Sequence, residues 1–100
     1  MPDSNTVSLT DKVAVVTGGG GGIGKGISRT FAAHGARIAV VDWDEQRATE
    51  TAGEIEGSGG QALPLVVDVQ QREQVARMTE ATLARFGRID ILVNNVGDHL

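Results

Sequence analysis

The chain contains no cysteine, which excludes both a disulfide framework and a thiolate metal site. Its two histidines, His34 and His99, lie far apart in sequence and make a poor metal pair. Basic residues are few and scattered: Lys12 and Lys25 are the only lysines, and the formal net charge is −4. Such a distribution builds no patch for nucleic acid or for an anionic membrane surface. No stretch approaches the roughly 18 apolar residues of a membrane-spanning helix. Met1 to Thr10 has neither the basic start nor the apolar centre of a signal peptide. The expectation is a cytoplasmic protein whose partner is a small soluble molecule, with neither nucleic acid nor membrane involved.

Glycine, by contrast, is abundant, and it is concentrated where it matters. The run Thr17-Gly18-Gly19-Gly20-Gly21-Gly22-Ile23-Gly24 lies between an apolar stretch, Val13 to Val16, and a helix-like stretch beginning near Gly22. A strand that turns sharply into a helix needs residues tolerant of positive φ, and a phosphate reaches a helix N-terminus only where no Cβ projects. The run is therefore read as a phosphate cradle rather than a linker.

The rest of the chain alternates strand and helix. Val13 to Val16 is apolar on both faces, as in a buried parallel strand. Ile23, Ile27 and Phe31, with Ala32, form the apolar stripe of a first helix, and Gly35 is placed to cap it. Ile38 to Val41 is the second strand and ends at Asp42. Asp44 can N-cap a second helix with a thin apolar face of Ala48, Ala52 and Ile55, stopped by Gly57 to Gly60. Ala62 to Val67 is a third strand whose Pro64 requires a sheet edge. A third helix runs from about Gln71 to Phe86 with Val75, Met78 and Leu83 inward and Gly87 as cap, and Ile89 to Val93 is the fourth strand. This βαβαβαβ pattern predicts an α/β fold, a Rossmann-type doubly wound parallel sheet of order 3-2-1-4 with right-handed crossovers, which the family resemblance given below implies is the N-terminal part of a larger sheet. Residues 1–10 are expected to form a flexible arm and residues 11–100 a dinucleotide-binding half-domain.

Asp42 follows the cradle at about the 20-residue interval at which a dinucleotide fold places the acid for the adenosine ribose. Its two oxygens can accept both ribose hydroxyls. A 2′-phosphate would meet a like charge with no basic residue at hand, since Gly21 and Trp43 occupy the positions where one might be sought, so NAD is expected over NADP. Trp43 is read either as a neighbour of the adenine or as a surface aromatic. A rival reading is a P-loop, because Gly19 through Lys25 fits G-x-x-x-x-G-K; Gly26 stands where that motif needs Ser or Thr for Mg²⁺. Asp68-Val69 ends strand three and Asn94-Asn95-Val96-Gly97 ends strand four, which brings both to the rim where open α/β sheets bind ligands.

Together these residues resemble the short-chain dehydrogenase/reductase family over Asp11 to Gly97. Its T-G-x-x-x-G-I-G is matched from Thr17 to Gly24, with Gly18, Gly22, Ile23 and Gly24 at its fixed positions. Its ribose acid falls on Asp42, its adenine-contacting D-V on Asp68 and Val69, and its N-N-A-G on Asn94 to Gly97 with Val96 in place of Ala. The resemblance implies an NAD-dependent oxidoreductase interconverting an alcohol and a carbonyl, a homo-oligomer when full length. It gives Asn94 a cofactor-side or sheet-stabilising role, and Gly97 allows the backbone close to the cofactor. The family's proton-handling Tyr-x-x-x-Lys pair and its Ser are absent, and the sequence has no tyrosine. No catalytic residue is assigned within the chain, which reads as the cofactor-binding half of a longer enzyme; the alternative is a non-catalytic nucleotide-binding module or relic of that fold.

Overall fold

All five residues of β1 (Val13–Thr17) are buried, as a strand covered on both faces requires. The computed structural model describes residues 8–95. After β1 come α1 (Gly22–Ala33), β2 (Arg37–Asp42), α2 (Glu45–Gly57), β3 (Ala62–Val66), α3 (Arg72–Phe86) and β4 (Ile91–Asn94). The strands form one sheet of order β3-β2-β1-β4, and every pairing is parallel. Each connection is therefore a helical crossover.

Side-chain alternation along the two central strands feeds two cores. Ala14, Val16, Ile38 and Val40 pack with Ala48, Ala52 and Ile55 of α2, and Ile27 and Phe31 of α1 close over them. On the opposite face Val15, Ala39 and Val41 pack with Val67 and Met78. Burying one Val or Ile side chain of this kind contributes about 1.5–3 kcal/mol. Pro64 falls in β3, an edge strand, where its missing N–H leaves no interior ladder position unpaired.

Helix ends follow local chemistry. The Asp44 carboxylate caps α2 by accepting from the Arg47 N–H at 3.2 Å, and Gly87, at φ +83°, ends α3 in the left-handed region. Lys25 Nζ lies 2.9 Å from Glu54. That hydrogen bond holds the Glu54 carboxyl below its usual range, though both groups face solvent and such pairs stabilise little. At the opposite end of the sheet, the Arg88 fork grips Asp90, and the Val13 N–H donates to the same carboxylate at 2.9 Å. Arg88 first and Val13 second lower the Asp90 pKa.

Four details differ from the sequence expectations. Ile23 is 70% exposed, because it lies in the first turn of α1, beyond the sheet; Gly24 and Ser28 take the inward positions there. Leu83 is exposed, and Thr82 and Phe86 turn inward with Met78 instead. β4 begins at Ile91 rather than Ile89: Ile89 packs beneath α3, and Asp90 meets the Val13 N–H through its side chain. Finally, Leu9, within the expected arm, packs on the core and donates its N–H to the His34 carbonyl at 2.7 Å.

Candidate functional site

At the end of β1 the chain turns through Gly18, at φ +63°, and enters α1 at Gly22, at φ +54°. Both values suit glycine and little else. The loop between them is held from three sides. From β2, the Val41 carbonyl accepts from the Gly19 N–H at 2.9 Å, and Asp42 Oδ2 accepts from the Gly20 N–H at 3.2 Å. From α1, Ser28 Oγ donates to the Gly19 carbonyl at 3.1 Å, and from α2, Thr51 Oγ1 donates to the Gly20 carbonyl at 3.0 Å. Ser28 and Thr51 are fully buried, so both hydroxyls are committed to orienting loop peptides. Gly21, the α1 N-cap, has no side chain to bond the first-turn N–H groups. Those donors and the positive end of the helix dipole are what an anion requires.

Asp42 ends β2 with 4% of its surface exposed. Its other oxygen accepts from the Asp44 N–H at 3.0 Å. Each carboxylate oxygen keeps a further lone pair, so the acid organises the loop and still has acceptor capacity for a hydroxyl pair. At the end of β4, Thr17 Oγ1 donates to the Val93 carbonyl at 3.1 Å and accepts from the Asn95 N–H at 3.0 Å, joining β1 to β4 at the loop. Asn95 Nδ2 is buried without a partner among the described residues, beside Gly18 and Gly24. A Cβ on Gly24 would come within 1.8 Å of the Gly18 carbonyl oxygen and 2.9 Å of Asn95 Nδ2. Asp68 Oδ1 accepts from the Gln70 N–H, and Gln74 Oε1 accepts from the Asp68 N–H, which fixes the turn after β3.

A groove of about 1400 Å³ runs along this rim and brings together Gly18, Gly22, Asp42, Asp68, Val69 and Asn94 of the predicted site. Gly24 lies behind the loop as a packing glycine, and Ile23 points to solvent. Gly97 falls outside the described residues. Trp43 lines the groove and is 66% exposed. The expectation that no basic residue stands near the ribose acid is corrected, because Lys25 and Arg47 both line the groove. An added Cβ on Gly21 would lie 3.2 Å from Arg47 Cδ, so the arginine occupies from α2 the space that a side chain at position 21 would have filled. Its sequence signal was its place three residues after the capping Asp44, in the first turn of a helix that starts at the rim. Thr51 and Ser28 were legible only as hydroxyls inside otherwise apolar stripes.

The residues present fit a dinucleotide: Cβ-free N–H donors for a pyrophosphate, a fixed carboxylate for a ribose, and an open groove between them. Among the described residues no group of three or more His, Cys, Asp or Glu could hold a metal ion, and no helix is long and apolar enough to cross a membrane.

The family described as short chain dehydrogenase matches residues 12–99. The 7alpha-hydroxysteroid dehydrogenase of Escherichia coli (strain K12) is 37% identical over 97 residues, covering 97% of this chain and 38% of that protein. The L-fucose dehydrogenase of Bos taurus is 43% identical over 88 residues, covering 88% of this chain and 31% of that protein. Among solved structures, a 7 alpha-hydroxysteroid dehydrogenase complexed with NADH and 7-oxo glycochenodeoxycholic acid superposes with a TM-score of 0.91 at 37% identity, over 97% of this chain and 38% of that one. A 3-ketoacyl-(acyl-carrier-protein) reductase from Brucella melitensis complexed with NADH gives 0.84 at 44% identity, over 90% of this chain and 36% of that one. The chain thus spans well under half the length of these relatives.

Proposed function

The chain belongs to the short-chain dehydrogenase family, and on that premise we propose that it forms the cofactor-binding part of an oxidoreductase interconverting an alcohol and a carbonyl, with NAD preferred to NADP. The observation that carries this reading is Asp42: a nearly buried carboxylate at the end of β2, fixed by two backbone N–H groups, beside a loop of peptides free of Cβ atoms. In this reading the glycine loop and the first turn of α1 hold the pyrophosphate, and Asp42 accepts the ribose hydroxyls. Asp68 and Val69 border the adenine, and Asn94 lies toward the nicotinamide. A bound nicotinamide supplies the hydride chemistry; these residues bind and orient.

The names of the relatives cover a hydroxysteroid, a sugar and a ketoacyl carrier, all consistent with an alcohol or carbonyl substrate in the longer protein, for which cytoplasmic, homo-oligomeric assembly is part of the same proposal. Proton transfer and substrate choice are assigned to residues other than those of this chain. The 100-residue chain alone should bind NADH and show no dehydrogenase turnover.

The test is Asp42→Asn, which removes the charge and keeps one acceptor for the loop. A charge-assisted hydrogen bond is worth about 1.5–3 kcal/mol, or about one to two powers of ten in affinity. NADH affinity by calorimetry should fall by that order, and the gap to NADPH should narrow. An unchanged NADH/NADPH ratio would leave Asp42 as an organiser of the loop alone and overturn the proposed selectivity.

A further inference from the structure

The turn after β3 commits nearly all of its backbone donors. The Val67 N–H goes to the Asp42 carbonyl at 3.0 Å, and the Gln71 N–H goes to the Asp68 carbonyl at 3.0 Å. The Asp68 N–H goes to Gln74 Oε1 at 2.8 Å, and the Gln70 N–H goes to Asp68 Oδ1 at 2.9 Å. Val69 is the exception, because among the described residues its N–H has no acceptor. Asp68 Oδ2 likewise receives no donor among the described residues. An uncommitted donor and an uncommitted acceptor thus stand on consecutive residues, and Asp68, Val69 and Gln74 all line the groove.

Gln74 is the contribution of α3 to this turn. It is the third residue of the helix, the position from which Gln or Glu ordinarily returns to the N-cap N–H. Here the N-cap, Gln71, has already given its N–H to the Asp68 carbonyl, and the Gln74 amide extends past it to the strand end. A backbone N–H requires an acceptor, so the amide is oriented with its oxygen on Asp68. Without that oxygen the N–H groups of Asp68 and Val69 would compete for any acceptor in the groove, and the peptide between Val67 and Asp68 would be free to turn.

We propose that Gln74 is a positioning residue for the base of a bound nucleotide: by taking up the Asp68 N–H it leaves the Val69 N–H and Asp68 Oδ2 as one donor beside one acceptor, and so sets a preference for a 6-amino over a 6-oxo purine. This rests on the dinucleotide reading of the groove, in which Asp68 and Val69 border the adenine. A 6-amino purine carries an N–H donor beside a ring-nitrogen acceptor, which matches the pair; a 6-oxo purine brings a carbonyl oxygen against the carboxylate instead. Unpaired groups left by such a mismatch are what gives a hydrogen-bonding site its selectivity. Gln74 acts through the turn, without touching the base.

The experiment measures NADH against reduced nicotinamide hypoxanthine dinucleotide, the same cofactor with a 6-oxo base, by calorimetry on the chain, and follows the thermal midpoint of each variant. The unaltered chain should prefer NADH. Gln74→Leu should weaken NADH by about tenfold and the hypoxanthine counterpart by no more than about threefold, so that most of the preference disappears. Gln74→Asn, polar but a methylene too short to reach the Asp68 N–H, should do the same, and it serves if Gln74→Leu does not fold. Gln74→Glu keeps an oxygen for that N–H and should restore the preference. Equal losses for the two dinucleotides, no preference in the unaltered chain, or a preference unmoved by the substitutions would overturn the positioning role while NADH binding upheld the dinucleotide site. Failure of the folded chain to bind NADH at all would overturn both.

Discussion

Gly24 shows how much can depend on one missing methyl group. The Cβ of even an alanine there would stand 1.8 Å from the Gly18 carbonyl oxygen, a backbone atom that cannot swing away, and overpacking of this kind costs about 1–3 kcal/mol or more. Gly24→Val should therefore lower the thermal midpoint and abolish NADH binding by calorimetry. Gly26 provides the control, since nothing lies within 4 Å of a Cβ built on it. Gly26→Ala, a helix-interior change, should preserve binding and raise stability by about 0.4–1 kcal/mol. Equal behaviour of the two variants would remove the steric account of the cradle. The same scale shows a structural task of Asp42: it holds the Gly20 N–H, so its loss would also loosen the loop.

At the scale of elements, the loop is a meeting point of β2, α1 and α2, and Thr51 is the part contributed by α2. Thr51→Val is nearly isosteric but leaves the Gly20 carbonyl without its buried donor. An unsatisfied buried acceptor costs about 1–3 kcal/mol, which chemical denaturation should register, with weaker NADH binding alongside. A loss of stability with unchanged affinity would make Thr51 a core residue only. The order of elements was legible in the sequence because each carries its own period and stop signal: Val13 to Val16 before the glycines, Ala48, Ala52 and Ile55 at helical spacing behind Asp44, Gly87 after Phe86, and Pro64 marking an edge. Periodicity failed where an apolar residue lay at the end of an element. Ile23 continues the stripe of Ile27 and Phe31 but extends past the sheet, and Leu83 is displaced from the buried line of Met78, Thr82 and Phe86. The glycines and Asp42 were legible as a site because their spacing is local. The hydroxyl latches and the reach of Arg47 over Gly21 depend on how α2 packs against the loop, which sequence spacing does not encode.

For the whole molecule, the two sheet edges are unequal. β3 carries Pro64, which blunts strand addition, whereas β4 (Ile91–Asn94) has no proline, and its Leu92 is 62% exposed. Leu92 pairs in register with Val15, so on that face of β4 apolar surface is open. Self-association of the isolated chain should proceed through this edge. Leu92→Lys should shift sedimentation velocity profiles toward monomer while changing stability by no more than about 0.5 kcal/mol, the usual range for exposed positions. Profiles unchanged by Leu92→Lys would place the contact elsewhere.

The strand order also sets a timetable. Among the described strands β1 comes first, yet one of its neighbours is β4, and Thr17 reaches its partner Val93 across 76 residues. The β1-β2 and β2-β3 pairings each close a single crossover and can form while the polypeptide is still being made. The β1-β4 pairing must wait for β4 and closes the largest loop of the three described pairings, with the larger entropic cost that entails. Until it docks, one side of the most buried strand stays open, and Thr17 has no Asn95 N–H to accept. Completion of the glycine-loop rim is therefore coupled to the docking of β4: a nascent chain can bury most of its first core before the end of β1 acquires its Thr17–Asn95 hydrogen bond.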